Sequence, residues 1–585
     1  MEGQTLHAVL DKVAADHPET ALEFRDRAER TELTLAQLSA DSRLLAGRLR
    51  RLGVGSGDRV ASLCMNEPDF LVLLFAVGRL GACLCPLSVP TRSVEAFAAK
   101  ARAILADGAI RDVVLSTRLA GMEPLLVEPL AGYRRISLAE QWPQARAEGA
   151  QESGAEVDPR LDAVLQYTSG STSRPKGVRL SHDNILACLE AIRAGIDLTP
   201  ADRHGVWLPL FHDMGLFGTL AGTLTGVPST VWQPSAFIKD PAGWLREFAE
   251  GRHTISALPN FAYDYLVQAV SAEQAPEYDL SAWRVAFNGA EQIAQDSVAA
   301  FLERFAPAGF RAGSLFPVYG LAEATLAATF PPPGRRPAFD WVDRFELTRS
   351  GRAVPVERTA SGARAVASVG RPVLGMDLRI ADPESGRLLG ERRVGEVQLR
   401  GVSVTAGYAT AAKAAKASDE AADEAADGAT VEPAVTQPFT ADGWLRTGDL
   451  GYLYGAELHV TGRLKEMLLL RGENYYPDDV ESAVRTDPCV HRRRCVAFVH
   501  EHGDGRERMV LCAETDRPAQ EHAEIAARLR HRVQAATGLP DLAVVLAPRG
   551  SIPRTTSGKL RRLEVRRDYA AAADGLDEGA RLAHA

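Results

Sequence analysis

At 585 residues the chain is too long for one hydrophobic core, so two or more domains are expected. A net charge of -9 argues against a nucleic-acid or anionic-membrane partner, and neither is expected. The seven cysteines are scattered, mostly in apolar strings, and no His/Cys spacing resembles a metal site, so structural thiols in a reducing cytoplasm are expected.

In chain order, residues 34–52 carry helical periodicity, with Thr34 as a cap and Gly53 as a stop. The apolar run 70–87 is interrupted by Arg79 and reads as a buried helix running into a strand, not as a membrane segment. No export signal is read at the N-terminus. Helix and strand signals alternate to about residue 330, which predicts a layered α/β domain. Within it, 161–167 and 178–180 read as strands, and Ile185, Cys188, Leu189 and Ile192 mark one face of a following helix. Between the strands stands YTSGSTSRPKG at 167–177. Its glycines let backbone N–H groups approach an anion, and its hydroxyls and lysine complete a cradle on the rim of a sheet. It is not a Walker A loop, because no Gly-Lys-Ser/Thr follows at the required spacing. By composition alone it is equally a plain Ser/Gly loop.

WLPLFHDMGLFG follows at 207–218, with His212 and Asp213 among apolar residues. A lone histidine there is more often a satisfied core residue than a catalyst. FNGAEQI at 287–293 and VYGLAEATL at 318–326 each place a carboxylate near a glycine turn, a pattern also met in caps. Residues 331–367 do not fit a compact crossover, yet FDWVDRFEL within them is too aromatic for disorder. That patch is expected to dock on the large domain with its charged residues turned outward. Residues 409–430 are Ala-rich without an apolar face and read as a solvated insertion without chemistry. In GWLRTGDLGYL, 443–453, Asp449 follows Gly448 in an expected turn, where it could serve a ribose diol or simply the turn. A charged joint at 461–466 precedes a buried strand, and 495–499, 509–512 and 525–536 read as strand, strand and helix of a small α+β domain. PRTTSGKLRR at 553–562 stands near the end, before an Ala-rich tail.

This ordered set of strings resembles the adenylate-forming, or AMP-binding, superfamily. The variants NGAE, YGLAEAT and HDMGL are similar to the fatty acyl-AMP ligase branch, beside the acyl-CoA synthetase-like enzymes. Two departures stand out: Ser173 where the family usually has Gly, and Ala322 where it usually has Thr. The resemblance implies a large multi-subdomain adenylation domain, 1–464, of mixed sheets packed with helices. It further implies an acyl-AMP-ligase-like insertion at 331–367, the Ala-rich insertion at 409–430, and a mobile lid, 465–585, hinged at Lys465. The implied reaction joins a carboxylate to the α-phosphorus of ATP, releases pyrophosphate, and passes the acyl group to a thiol. That thiol belongs to a carrier-protein phosphopantetheine or, alternatively, to CoA. A non-catalytic nucleotide or acyl binder on the same fold is the other class of reading.

The resemblance also assigns residues. Thr168, Ser169, Gly170, Ser171, Thr172 and Lys176 would hold phosphates, and Gly289, Ala290 and Glu291 the adenine. Tyr319, with Gly320, Leu321 and Ala322, would line the nucleotide, and Asp449 and Arg463 would hold the ribose. Glu323 would orient Mg²⁺, directly or with Thr168 and water, and Lys559 would be the catalytic lysine, with His212 a further candidate. The acid pocket should draw on Trp207, Met214, Gly215, Phe217, Trp232, Phe237, Phe261 and Phe287. These strings carry no obvious cation for a second carboxylate, so a fatty or other hydrophobic acid is expected.

Overall fold

The computed structural model describes residues 3–570 except 28, 91–93, 153, 155, 169–174, 410–437, 471–472, 502–506, 540 and 555–559. Its first half is two sheets with helices between and around them. One sheet runs Arg134–Ser137, Asp112–Leu115, Arg59–Leu63, Cys83–Leu87, Asp162–Thr168, Lys176–Ser181; all neighbours are parallel except the last two, which form a hairpin at the edge. The other runs Leu315–Pro317, Val285–Gly289, Ile255–Pro259, His204–Val206, Ser229–Trp232, Ala21–Asp26, Glu29–Thr34, parallel up to its final antiparallel edge strand.

Helix Leu35–Arg51 starts at a capping box, Thr34 with Gln37, and is followed by Gly53 at φ 86°, as read. The 70–87 run is helix Pro68–Arg79 followed by strand Cys83–Leu87. Every residue from Phe70 to Arg79 is buried, because this helix is enclosed in the core on all sides. Arg79 sits there fully buried, neutralised by Asp11 at 2.6 Å and hydrogen-bonded to Ser42 at 3.0 Å.

A four-stranded antiparallel sheet follows: Met376–Ala381, Gly395–Gly401, Leu445–Tyr454, Glu457–Arg463. Here the reading of Gly448-Asp449 as a turn is corrected. Both lie inside the ten-residue strand Leu445–Tyr454. Gly448 takes φ 71°, and the pairing register shifts nearby, so its conformational freedom serves an irregular strand. The C-terminal domain has its own core: strands Cys495–Glu501, Glu507–Glu514 and Leu542–Ala547 under helices Pro477–Arg485 and His522–Thr537.

Residues 331–367 are ordered rather than loop-like. Strand Phe339–Asp343 pairs antiparallel with Ala363–Ala367, with helix Arg344–Ser350 between them. The patch docks as expected, burying Val342, Leu347 and Val366 with Leu450 and Tyr452 of the large domain. The expectation of outward charges holds for Arg349, Arg352, Glu357 and Arg358, which are exposed, and fails for two other arginines of the segment. Arg364 is 4% exposed, and it and Arg344 both face Asp479 of the C-terminal domain.

Four buried histidines make the fold acid-sensitive. Burial holds His7, His204 and His253 down near 4 and His182 near 3, below the ordinary 6.5. The unfolded chain therefore takes up protons first as pH falls, and stability present above about 6.5 is lost toward pH 4. At pH 5 each site costs about 2 kcal/mol. The melting temperature is expected to fall by many degrees from pH 7 to pH 5 in scanning calorimetry, and a flat profile across that window would refute it.

Candidate functional site

The hairpin at the edge of the six-stranded sheet, the segment 405–409 and the turn Ala322–Ala324 meet. The hairpin Asp162–Thr168/Lys176–Ser181 closes on the pair Thr168↔Lys176. Ser169, Gly170, Ser171 and Thr172 lie outside the described residues, but their flanks are fixed. Tyr167 donates its hydroxyl to Asp107 at 2.6 Å, and a Cβ on Gly177 would meet its ring at 2.7 Å, so only glycine fits. The segment 405–409 is stitched along the hairpin's outer edge: Arg179 N donates to Gly407 O at 3.1 Å, and Ala409 N to Gly177 O at 2.7 Å.

That stitching delivers Tyr408, a residue absent from the sequence reading. Its ring lies 5.0 Å from Lys176 Nζ, and its hydroxyl donates to Glu323 Oε1 at 2.8 Å. Glu323 is held in the short turn Ala322–Ala324, whose neighbour Thr405 donates its N–H to the Glu323 carbonyl at 2.8 Å. Burial lowers the Lys176 ammonium's pKa, Lys465 lowers it further, and Glu323 opposes both. The charge of Lys465 therefore reaches Lys176, and an anion bound at Lys176 would relieve that repulsion. The only sequence signal for Tyr408 is its position just ahead of the Ala-rich composition shift.

The second cluster is a triad of Asp449, Arg463 and Tyr319. Asp449 and Arg463 are cross-strand partners, with Arg463 Nε 2.7 Å from Asp449 Oδ1. Tyr319 donates its hydroxyl to Asp449 Oδ2 at 2.7 Å. Asp449 raises the Arg463 pKa, and burial followed by Asp449 raises that of Tyr319. Gly320 lies against the backbone of Leu326 with no room for a Cβ, and Leu321 and Ala322 are buried beside it.

Gly289, Ala290 and Glu291 follow the C-terminal end of a parallel strand, where α/β sheets receive ligands. Ala290 holds φ 67°. The Glu291 carboxylate accepts from Phe261 N at 2.6 Å; burial raises its pKa, and Arg554 counters.

The aromatic candidates separate into groups. Trp207 stacks on Phe237 at 4.1 Å and meets Phe261 edge-on at 6.4 Å. Trp232 joins through Trp244, which contacts Phe237 at 5.1 Å. Phe287 belongs to a different cluster with Phe316 and Phe330. Met214 and Phe217 are buried on helix Asp213–Thr223, and Gly215 is packed against Pro209 O with no space for a side chain. His212 stands at that helix's start, its Nδ1 2.6 Å from Asp213 Oδ1, and is part-exposed. Lys559 lies outside the described residues, although its flanks pair: Arg554 bridges Leu560, and Arg561 N donates to Pro553 O at 3.0 Å. A cavity of about 630 Å³ lined by His17, Glu32, Arg203 and His253 lies elsewhere and contains none of these residues.

Glu323 supplies a carboxylate beside Lys176 and Tyr408. Among the described residues no group of three His, Cys, Asp or Glu could hold a metal. One carboxylate completed by phosphate oxygens and water suits Mg²⁺ in nucleotide sites, so the residues fit that ion.

Residues 10–409 match the AMP-binding enzyme family. The long-chain-fatty-acid–AMP ligase FadD32 of Mycolicibacterium smegmatis is 33% identical over 573 residues, covering 92% of this chain and 89% of its own. The medium-chain-fatty-acid–[acyl-carrier-protein] ligase JamA of Moorena producens is 32% identical over 546 residues, covering 91% and 89%. A solved structure of the fatty acyl-adenylate ligases from E. coli and L. pneumophila superposes with a TM-score of 0.84 at 30% identity over 98% of both chains. No described helix is long and apolar enough to cross a membrane. With a family model matching residues 10–409 and these relatives matching over about nine-tenths of its length or more, the chain belongs to the AMP-binding enzymes, in the fatty acyl-AMP ligase family, and is an adenylate-forming ligase.

Proposed function

We propose that the chain activates a fatty or similarly hydrophobic carboxylic acid with ATP, releasing pyrophosphate, and transfers the acyl group from acyl-AMP to a carrier-protein phosphopantetheine thiol. The observation that carries the first step is the convergence of Lys176, Lys465, Tyr408 and Glu323 next to the Asp449–Arg463–Tyr319 triad. Asp449 and Arg463 hold the ribose, while Gly289, Ala290 and Tyr319 bound the adenine. Thr168, Lys176 and the loop 169–172 hold the β- and γ-phosphates. Two anions must meet in line, and their repulsion is offset only by cations preorganised there. Lys559 supplies that charge at the carboxylate and α-phosphate. Mg²⁺, when bound through Glu323, offsets charge on the pyrophosphate leaving group. Trp207, Phe237 and Phe261 offer the acyl chain an apolar wall. The lid, 465–585, turns at Lys465 between the two steps.

The acceptor reading rests on the insertion. Arg364 Nε lies 3.3 Å from Asp479 Oδ1, its guanidinium lies 4.4 Å from the Tyr476 ring centroid, and Arg344 donates to Asp479 O at 3.0 Å. Rotating the lid requires breaking this buried pair, which costs several kcal/mol. A carrier protein brings its own contacts to offset that cost; free CoA brings far fewer. JamA is itself named for a carrier protein.

The test is purified protein with ATP and an acid panel, scored for pyrophosphate, then for thioester on carrier protein and on CoA. Carrier acylation with little CoA thioester is expected, and Arg364→Gln should raise the CoA share severalfold. If the parent turns over CoA as fast as it forms acyl-AMP, the acceptor is CoA. If it binds ATP or acid but releases no pyrophosphate, it is a binder.

A further inference from the structure

The C-terminal domain presents three consecutive arginines, Arg492, Arg493 and Arg494, in the turn before strand Cys495–Glu501. Arg492 and Arg493 both hold left-handed backbone, φ 49° and 57°. A residue with a Cβ holds that conformation only where its surroundings over-determine it. The turn's backbone is tied within its own domain, by Arg493 N to Val490 O at 3.3 Å and Arg494 N to His491 O at 3.0 Å, and its side chains reach the large domain. Arg493 Nη1 donates to Asp264 Oδ1 at 2.7 Å and to Ser297 Oγ at 3.1 Å. Arg494 Nη2 donates to the Tyr265 hydroxyl at 3.3 Å, and the Arg492 guanidinium lies 5.3 Å from the Tyr265 ring centroid. From a separate part of the same domain, Arg554 lies 5.3 Å from the Phe261 ring centroid.

Phe261, Asp264 and Tyr265 stand at i, i+3 and i+4 on helix Asn260–Ala269 and so share one face. Asp264 is only 6% exposed, and a carboxylate that deep requires a charged partner. Its ion-pair partner, Arg493, comes from the other domain. Arg554 bridges Leu560 and at the same time lies over Phe261. Phe261 also meets Trp207 edge-on, which ties the same helix to the acyl-chain wall.

We propose that the Phe261–Asp264–Tyr265 face is the seat that holds the lid in its acyl-AMP-forming orientation, with Asp264 and Arg493 as positioning residues for that half-reaction alone. This rests on the two-step reading above. The seated orientation holds Arg554, of the same domain as Lys559, over Phe261 and near Glu291. A lid turned for the thiol step withdraws all four arginines, so the seat cannot contribute there.

The experiment uses the full chain with Arg493→Gln, Asp264→Asn and the double variant. Each single change is expected to slow pyrophosphate release at least tenfold with the ATP KM within threefold. The double variant should be no slower than the singles, because the two residues act as one pair. Thioester formation from supplied acyl-AMP should run at the parent rate. Equal loss in both half-reactions, or losses that multiply in the double variant, would overturn the seat and leave a general structural role. Hydrogen exchange on the unliganded chain separates this from the underlying reading. Amides of 260–269 and 491–494 should exchange faster in Arg493→Gln than in the parent, and unchanged exchange overturns the seat whatever the enzyme does. A parent that releases no pyrophosphate with any acid sinks the adenylation reading, while the exchange result still decides whether the lid sits there.

Discussion

Lys559→Ala is expected to slow acyl-AMP formation by about 100- to 1,000-fold, the scale of losing one preorganised charge at the reacting atoms. ATP affinity should stay within severalfold, because the nucleotide is held by other groups. In the proposed reading Asp449 and Arg463, 2.7 Å apart, take the ribose, and Lys176, with the charge of Lys465 acting on it, takes the phosphates. What those groups do not supply is a cation between the incoming carboxylate and the α-phosphate, both anionic. Lys559 directly precedes Leu560, which bridges Arg554, in the domain proposed to turn between the two steps. Thioester formation from supplied acyl-AMP should therefore survive the substitution, since the thiol step uses another lid orientation. The measurement is pyrophosphate release against calorimetric ATP binding, followed by single-turnover transfer. Release at the parent rate removes Lys559 from the mechanism.

How much of this was legible in the sequence depends on the range of the interaction. The helix Leu35–Arg51 was readable because its signal is local: Thr34 and Gln37 satisfy each other three residues apart. The phosphate hairpin was readable because an apolar strand flanks the Gly/Ser run on each side, and Ile185, Cys188, Leu189 and Ile192 were all correctly placed on the buried face of the next helix. Gly448 was misread because positive φ suits a turn as well as an irregular strand, and only the neighbouring strands decide which. The insertion 331–367 read as a long loop because its strands are five residues each and its helix is seven, too short for periodicity to register. The direction of Arg344 and Arg364 could not be read at all. Their partner Asp479 is 135 and 115 residues away, and a single sequence pairs no charges at that distance. Tyr408 was missed for the same reason, since its neighbours Lys176 and Glu323 are supplied by other parts of the chain.

Asp449→Ala is expected to weaken ATP binding by about 2 kcal/mol or more, roughly thirtyfold, because a charged acceptor for two hydroxyls is lost. The structure sharpens this expectation. A carboxylate has about four lone-pair sites; the Tyr319 hydroxyl and Arg463 Nε occupy one on each oxygen, both at 2.7 Å. Two sites remain, the number a vicinal diol needs. The protein cost of the change should be smaller than for a fully buried pair. Asp449 is 3% exposed, but the Arg463 side chain is 43% exposed and water takes up part of its charge. A stability loss of about 1–3 kcal/mol is therefore expected, chiefly from the unpaired Tyr319 hydroxyl. Asp449→Asn separates the roles. An amide keeps one acceptor oxygen; with that oxygen on Arg463 its NH₂ can donate to the Tyr319 hydroxyl oxygen, so the triad persists while the charge and the second acceptor oxygen are lost. If Asp449 binds ribose, Asn should lose nearly as much ATP affinity as Ala. If it only holds its strand, calorimetry on both variants will give the parent affinity at a temperature where each is folded, and the ribose assignment falls.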